Sequence, residues 1–98
     1  DLSFISLRKV MESIIQLGTD QLKIIALIKP QFEGEARDLN QQGIVKTEQR
    51  REEILQELLA DLDQLGVKLQ SQVIESPISG KKGNVEYLGY FLKGKVES

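Results

Sequence analysis

The stretch Lys23-Ile24-Ile25-Ala26-Leu27-Ile28-Lys29-Pro30 decides how this chain folds. Its central apolar residues are continuous and do not alternate with polar ones, which is typical of a strand covered on both faces in a parallel sheet. Pro30 ends the strand, because proline has no N–H to donate to a ladder and biases Lys29 toward an extended conformation. The stretch therefore predicts a buried strand with a lysine at its carboxyl end.

Amphipathic helices are predicted on both sides of this strand. The first has an apolar stripe with helical spacing, made of Leu7, Val10, Met11, Ile14 and Ile15. Ser6 is its predicted N-cap and Gly18 its predicted end. The second helix is predicted to begin after Thr47 and to end at Gly66. Its stripe is Ile54, Leu55, Leu58, Leu59, Leu62 and Leu65. Residues 31–46 are largely polar and predict a long loop before it.

Two further strands are predicted after the second helix. Val67, Leu69 and Val73 indicate a strand with one partly solvated face, and the last strand is expected over residues 85–93. The connection between them, residues 76–84, is too short for the crossover that joins parallel strands, so the last strand should be antiparallel. Because strands alternate with helices, the predicted fold class is α/β with a mixed sheet.

Composition excludes several classes of site. The chain has 98 residues, the size of one small domain, and 40% of them are apolar and 29% charged, as in soluble globular proteins. No apolar run is long enough for a membrane span, so no membrane association is expected. The absence of His and Cys excludes Ser-His-Asp triads, thiolate chemistry, disulfides and cysteine zinc sites. The net charge of −2 suggests that any RNA affinity comes largely from elsewhere. The start lacks Met and a signal peptide, which indicates a piece of a longer protein.

Three charged residues are predicted to meet at one edge of the sheet. Lys29 lies at the carboxyl end of its strand, Asp1 follows what looks like a truncated first strand, and Glu86 lies near the start of the antiparallel last strand. Ligands of open α/β sheets bind at the carboxyl edge of the parallel strands, where these positions coincide. A charge at a strand end is often only solvated, and that interpretation stays open for each residue. Glu86, between Val85 and Tyr87, would need a partner if it were buried.

Four segments of the chain resemble one protein family. Asp1–Val10, D-L-S-F-I-S-L-R-K-V, is similar to that family's segment after a strand, and Ile28–Glu33, I-K-P-Q-F-E, resembles its V-K-P-Q-F-E segment. Gly43-Ile44-Val45 resembles its G-V-V segment. Ser76–Leu88, S-P-I-S-G-K-K-G-N-V-E-Y-L, resembles its S-P-I-x-G-x-x-G-N-x-E-[FY]-L ending. The family is that of the hemolysin-A-like (TlyA-type) ribosomal RNA 2′-O-ribose methyltransferases, which have an FtsJ-like catalytic domain.

The resemblance implies that residues 1–98 are the C-terminal portion of one Rossmann-like methyltransferase domain that uses S-adenosylmethionine. It implies that the glycine-rich cofactor half and an N-terminal S4-type RNA-binding domain are absent from this chain. Of the family's Lys-Asp-Lys-Glu catalytic tetrad, three members match Asp1, Lys29 and Glu86, and Asp1 would also lie near the cofactor. The implied partner is ribosomal RNA or a ribosomal subunit, in the cytoplasm. Lys46-Thr47-Glu48 departs from the family, which often has a basic residue and then Asp-Pro, but this affects no site residue.

Other residues allow two interpretations. Lys81, Lys82 and Asn84 belong either to a flexible connection or, as the resemblance implies, to a loop that borders the RNA. Arg50 and Arg51 are expected to be solvated, and the aromatic residues of the last strand are expected in the core. The alternative function is a non-catalytic α/β interaction or assembly module, in a family that has carried a hemolysin label. Because earlier strands would be missing, the isolated chain is expected to self-associate through an open strand edge.

Overall fold

The computed structural model describes residues 6–17, 21–76 and 84–94 of the chain. Its helices and strands are α1 (Leu7–Gln16), β1 (Leu22–Ile28), α2 (Glu48–Gln64), β2 (Val67–Leu69), β3 (Ile74–Glu75) and β4 (Tyr87–Lys93). The truncated first strand, the helix end at Gly18 and most of the connection 76–84 lie outside the described residues. Within the described ranges, neither helix has the length and apolar character needed to cross a membrane.

Strand β4 lies at the centre of the sheet. It pairs with β1 along the whole of that strand, from Leu22 opposite Lys93 to Ile28 opposite Tyr87. Its other edge pairs with β2 and β3, and every one of these pairings is antiparallel. Consequently β1 and β2 run in the same direction on either side of a reversed β4. The predicted α/β class and antiparallel last strand are confirmed, although β4 begins at Tyr87 and not at residue 85.

The strand expected from Val67 to Val73 ends at Leu69, and a second short strand, β3, begins only at Ile74. The chain leaves the ladder after Leu69, and the backbone N–H of Gln70 still donates to the Tyr90 carbonyl at 2.8 Å. More residues separate β2 from β3 than separate the facing positions of β4, so the excess bulges out of the pairing. Apolar spacing alone could not reveal this interruption.

Both helices pack on one face of the sheet. Their termini follow the predicted chemistry: the hydroxyl of Ser6 accepts from the Arg8 N–H, that of Thr47 accepts from the Arg50 N–H, and Gly66 ends α2 with a φ of 87°. The core between helices and sheet consists of Met11, Ala26, Ile28, Leu55, Leu58, Leu62, Val67, Tyr87 and Phe91. Burial of these side chains supplies the main driving force for this arrangement.

The opposite face of β1 is exposed, and the prediction that both faces are covered is wrong for this structure. Ile25 is 78% exposed and Leu27 is 43% exposed, and neighbouring Tyr90 on β4 is 37% exposed. The reason is that α1 and α2 contribute to the same core cluster, so the described residues place helices on one face only. The expectation of a core position holds for Tyr87 and Phe91 but not for Tyr90.

The polar segment 31–46 is more ordered than a long loop. It contains or adjoins two short 3-10 helices, Pro30–Phe32 and Ala36–Asp38, and a β-bridge joins Leu39 to Val45. Proline suits the first position of such a turn, since its fixed φ matches and its missing N–H is not needed. The segment is therefore a structured connection between β1 and α2.

Arg50 and Arg51 were expected to be solvated, and both instead bind residues from other elements. Arg50 Nε donates to Asp38 Oδ1 at 2.9 Å, and Arg51 Nε donates to the Tyr87 hydroxyl at 3.1 Å. The hydrogen bond from Arg50, helped by the Glu35 backbone N–H, holds the pKa of Asp38 below its ordinary value. The expectation is wrong because helical spacing does not reveal partners on other elements, here a 3-10 helix and strand β4.

Candidate active site

The end of β1 and the start of β4 bring two predicted site residues to the same end of a strand pair. Lys29 directly follows β1 and Glu86 directly precedes β4. Ile28 is opposite Tyr87 in the last pair of the ladder, so Lys29 and Glu86 are the two residues that directly flank that pair. The two residues thus lie at the same end of the strand pair, whereas their meeting in one site and their catalytic roles stay predictions.

Lys29 is held by its local backbone and by an aromatic ring. It is extended, with φ −117° and ψ 92°, and its carbonyl accepts the Phe32 N–H at 2.9 Å. The next residue, Pro30, is fully buried and fixes the point at which the strand turns. The Lys29 Nζ lies 5.8 Å from the centroid of the Phe32 ring, within the range of a cation–π contact. The ammonium therefore has a favoured position beside the turn.

Glu86 has a buried partner that was not anticipated from the sequence. The carboxyl residue is 7% exposed, and its Oε2 accepts a hydrogen bond from Gln31 Nε2 at 3.0 Å. Gln31 is itself 9% exposed, and its Oε1 has no hydrogen-bond partner among the described residues. The expected need of Glu86 for a partner is thus met by an amide. The only signal for Gln31 was its position in the segment that begins at Lys29.

Glu33 connects the same segment to the start of α1. Its side chain is 4% exposed, and Oε1 accepts from Ser6 Oγ at 2.6 Å and from Arg8 Nη1 at 3.0 Å. Its Oε2 accepts from the Leu7 backbone N–H at 2.7 Å. A carboxylate at a helix N-terminus is favourable because it meets unpaired N–H groups and the positive end of the helix dipole. Sequence reasoning missed this contact, since the two partners are distant along the chain.

Asn84, predicted to contact RNA, bridges two backbone groups of the segment before α2. Its Oδ1 accepts from the Val45 N–H at 3.3 Å, and its Nδ2 donates to the Gly43 carbonyl at 3.0 Å. The residue is 7% exposed, and Gly43 has a φ of 80°, a conformation that favours glycine. Asn84 thus positions this connection, and an RNA contact at Asn84 stays a prediction. The predicted site residues Asp1, Lys81 and Lys82 lie outside the described residues.

The described part of this edge offers an ammonium, a carboxylate and an amide carbonyl oxygen. These groups can hold a hydroxyl, balance a positive charge and move a proton. In the three described ranges no cluster of three or more acidic side chains is arranged to hold a metal ion. The side chains that the described part of the site offers to a reaction are those of a lysine and a carboxylate.

Comparison with known proteins identifies relatives along almost the whole chain. A family model described as FtsJ-like methyltransferase matches residues 1–93. Hemolysin A of Brachyspira hyodysenteriae is 39% identical over 92 residues, which cover 94% of this chain and 38% of that protein. The 16S/23S rRNA (cytidine-2′-O)-methyltransferase TlyA of Mycobacterium tuberculosis is 34% identical over 87 residues, covering 89% of this chain and 32% of that protein.

A solved structure has a similar fold over most of this chain. The protein from Streptococcus thermophilus, which carries the name hemolysin, aligns with a TM-score of 0.85 and 32% identity over 96% of this chain and 34% of that chain. The chain thus spans 38% or less of the length of the two curated relatives it matches above. The resemblance found in the four sequence segments is confirmed by these matches. Because the family model covers residues 1–93, the chain belongs to the FtsJ-like methyltransferase family, among homologues of the TlyA and hemolysin A proteins.

Proposed function

We propose that this chain is the C-terminal half of the Rossmann-like catalytic domain of an S-adenosylmethionine-dependent enzyme that methylates a ribose 2′-hydroxyl of ribosomal RNA. The observation that carries the proposal is that Lys29 and Glu86 flank the last residue pair at one end of the β1–β4 ladder. Family membership and the similarity to the rRNA (cytidine-2′-O)-methyltransferase of Mycobacterium tuberculosis support it. The shared direction of β1 and β2 supports the Rossmann-like part. Such an enzyme works in the cytoplasm, where it meets ribosomes.

The groups at this edge fit a cationic methyl donor and a hydroxyl acceptor. The Glu86 carboxylate and Gln31 Oε1 are acceptor oxygens in a region of low exposure, and a carboxylate there favours a nearby positive charge. S-adenosylmethionine supplies an electrophilic methyl group when bound. Asp1 is the residue of this chain that we place nearest to it. The glycine-rich cofactor loop and the S4-type RNA-binding domain belong, in this proposal, to the part of the protein beyond this chain.

Lys29 has the central role in the proposed transfer. In its neutral form the Lys29 amine holds the 2′-hydroxyl for in-line attack and accepts the proton that the hydroxyl loses as the new bond forms, which leaves the side chain as an ammonium. Glu86 balances the charge of the lysine and orients the ribose, and the Phe32 ring limits the positions open to the Lys29 Nζ. Lys81 and Lys82 extend the site toward phosphate groups of the RNA, and Asn84 holds the adjoining segment through Gly43.

Substitution of Lys29 in the complete protein tests this proposal. In single-turnover methylation of ribosomal RNA, Lys29→Ala should lower the rate by about 10²- to 10⁴-fold, the usual effect of losing a positioned proton-transfer group. Thermal unfolding should change little, since the side chain leaves no cavity. Lys29→Arg should not restore the rate, because the guanidinium has a different shape and stays protonated.

The matched control is Lys23→Ala, which removes an exposed lysine from the other end of β1. It should leave both the rate and the unfolding temperature unchanged. A near-normal rate for Lys29→Ala would contradict the proposal and favour the non-catalytic assembly module. Unfolding of Lys29→Ala, with Lys23→Ala intact, would show that Lys29 serves the fold.

A further inference from the structure

We infer that Gln31 is a positioning residue, which fixes the carboxylate of Glu86 in the orientation needed for methyl transfer. The inference rests on the proposed function, because it assigns Gln31 a role in that same site. The direct observation is the 3.0 Å hydrogen bond from Gln31 Nε2 to Glu86 Oε2, made between two side chains that are both at least nine-tenths buried. A hydrogen bond to a buried acidic group is strong and costly to lose.

The backbone around Gln31 makes it a suitable support. Gln31 is the middle residue of the 3-10 helix Pro30–Phe32, which begins directly after Lys29. That turn is closed by backbone hydrogen bonds from Phe32 N to the Lys29 carbonyl at 2.9 Å and from Glu33 N to the Pro30 carbonyl at 3.0 Å. One rigid turn therefore sets the position of Lys29 and, through the Gln31 amide, the position of the Glu86 carboxylate.

The orientation of the Gln31 amide follows from the chemistry of its partner. A carboxylate only accepts hydrogen bonds, so the NH₂ group faces Glu86 and the carbonyl oxygen points away from it. That oxygen is buried and has no partner among the described residues. A glutamine selected only for packing would leave a buried acceptor unpaired, which is unfavourable and rare. The free oxygen is consistent with a polar site in which a donor from outside the described residues completes the network.

A double-mutant cycle in the complete protein tests the inference. Gln31→Met keeps the length of the side chain but removes the donor, and it should lower kcat by about 10- to 100-fold, as expected for a lost hydrogen bond to a charged group. The KM for S-adenosylmethionine should change less than threefold. In the Glu86→Gln background, the same substitution should not lower the residual kcat further, because a residue that acts through Glu86 has nothing left to position.

The control substitution is Gln56→Met, at an exposed glutamine of α2, which should leave kcat unchanged in both backgrounds. If Gln31→Met fails to fold, Gln31→Leu replaces it in the cycle: it also lacks the NH₂ donor, adds no charge and should lower kcat in the same Glu86-dependent way.

Three results would overturn the inference, and they differ in what they say of the proposed function. An equal fall in kcat for Gln31→Met with and without Glu86 would mean that Gln31 acts on the fold. A normal kcat for Gln31→Met, with Glu86→Gln strongly impaired, would remove the inference and leave the proposed function intact. Normal kcat values for both Glu86→Gln and Lys29→Ala would remove the inference together with the proposed site.

Discussion

Replacing Glu33 by alanine should separate α1 from the turn that follows Lys29. The Glu33 carboxylate is 4% exposed and accepts hydrogen bonds from the Ser6 hydroxyl, the Leu7 backbone N–H and the Arg8 guanidinium. In Glu33→Ala all three donors lose this carboxylate. The Ser6 hydroxyl and the Leu7 N–H have no second carboxylate partner among the described residues. Arg8 keeps its second partner, Asp61, at 2.7 Å.

The expected loss of unfolding free energy follows from these contacts. A hydrogen bond to a charged group contributes about 1.5–3 kcal/mol, but three bonds that share one carboxylate are not additive. The helix-capping part alone is about 1 kcal/mol. We therefore expect Glu33→Ala to destabilise the chain by about 3 kcal/mol, and Glu33→Gln by about half as much, since the amide keeps one acceptor oxygen.

Urea unfolding followed by circular dichroism measures this effect in the 98-residue chain. The urea concentration at the midpoint of unfolding should fall, while the slope of the unfolding free energy against urea concentration stays constant. This combination identifies a change in stability and not in the surface exposed on unfolding. Glu52→Ala, at an exposed glutamate of α2, is the control and should lie within about 0.5 kcal/mol of the native chain. If Glu33→Ala also fell within that range, the carboxylate would contribute no net stability and the reasoning would be refuted.

Three further changes have defined outcomes. The hydrogen bond from Arg50 lowers the pKa of Asp38 in the folded chain. The stability that the ionised Asp38 adds is therefore complete above its unfolded-state pKa of about 3.9 and is lost as the pH falls through its lower folded-state pKa. The loss of unfolding free energy caused by Asp38→Asn, measured by urea unfolding, should thus become smaller below about pH 4. Gly89→Ala would place a Cβ 2.7 Å from the buried Phe91 ring, and calorimetry should show a loss of about 1–3 kcal/mol from overpacking. Ile25→Lys should reduce self-association of the isolated chain in sedimentation velocity, because Ile25 is 78% exposed on β1, the edge strand expected to pair with another chain, and a charge there opposes such pairing.

Each of these changes has a control. Asp63→Asn removes an exposed carboxylate that pairs with Lys68, and its deficit should stay small at every pH. Gly94→Ala introduces a Cβ with no atom within 4 Å and should be neutral; equal losses at Gly89 and Gly94 would contradict the overpacking argument. A monomeric native chain at high concentration would contradict the prediction of self-association, whatever Ile25→Lys does.

Local signals predicted those parts of the fold that depend on neighbouring residues. The caps at Ser6 and Thr47, the end of α2 at Gly66 and the reversal of the last strand need only spacing, turn chemistry and connection length. Contacts between distant segments could not be predicted in this way. The Asp38–Arg50 pair depends on how the connection folds back onto α2, which no periodicity encodes.

The candidate site shows the same division. Topology alone brought Lys29 and Glu86 to one edge, because a strand that runs backwards begins where its parallel neighbours end. Gln31 and Glu33 were not anticipated, since both act through contacts with residues that are far apart in sequence. A polar side chain next to the end of a strand is usually exposed to solvent. Only the tertiary structure shows that the side chains of Gln31 and Glu33 are buried and hydrogen-bonded.

The segment from Lys29 to Glu33 therefore contains three polar side chains with separable tasks. Lys29 lies in the proposed site, Gln31 binds Glu86, and Glu33 binds the start of α1. Because the contacts do not overlap, removing each side chain should affect a different measurement: the rate alone for Lys29, the rate only while Glu86 is present for Gln31, and the free energy of unfolding first for Glu33. The short 3-10 turn after β1 thus contacts the sheet edge, the reversed strand β4 and the first helix. A change in its backbone should therefore lower the methylation rate, remove the dependence of that rate on Glu86 and reduce the free energy of unfolding.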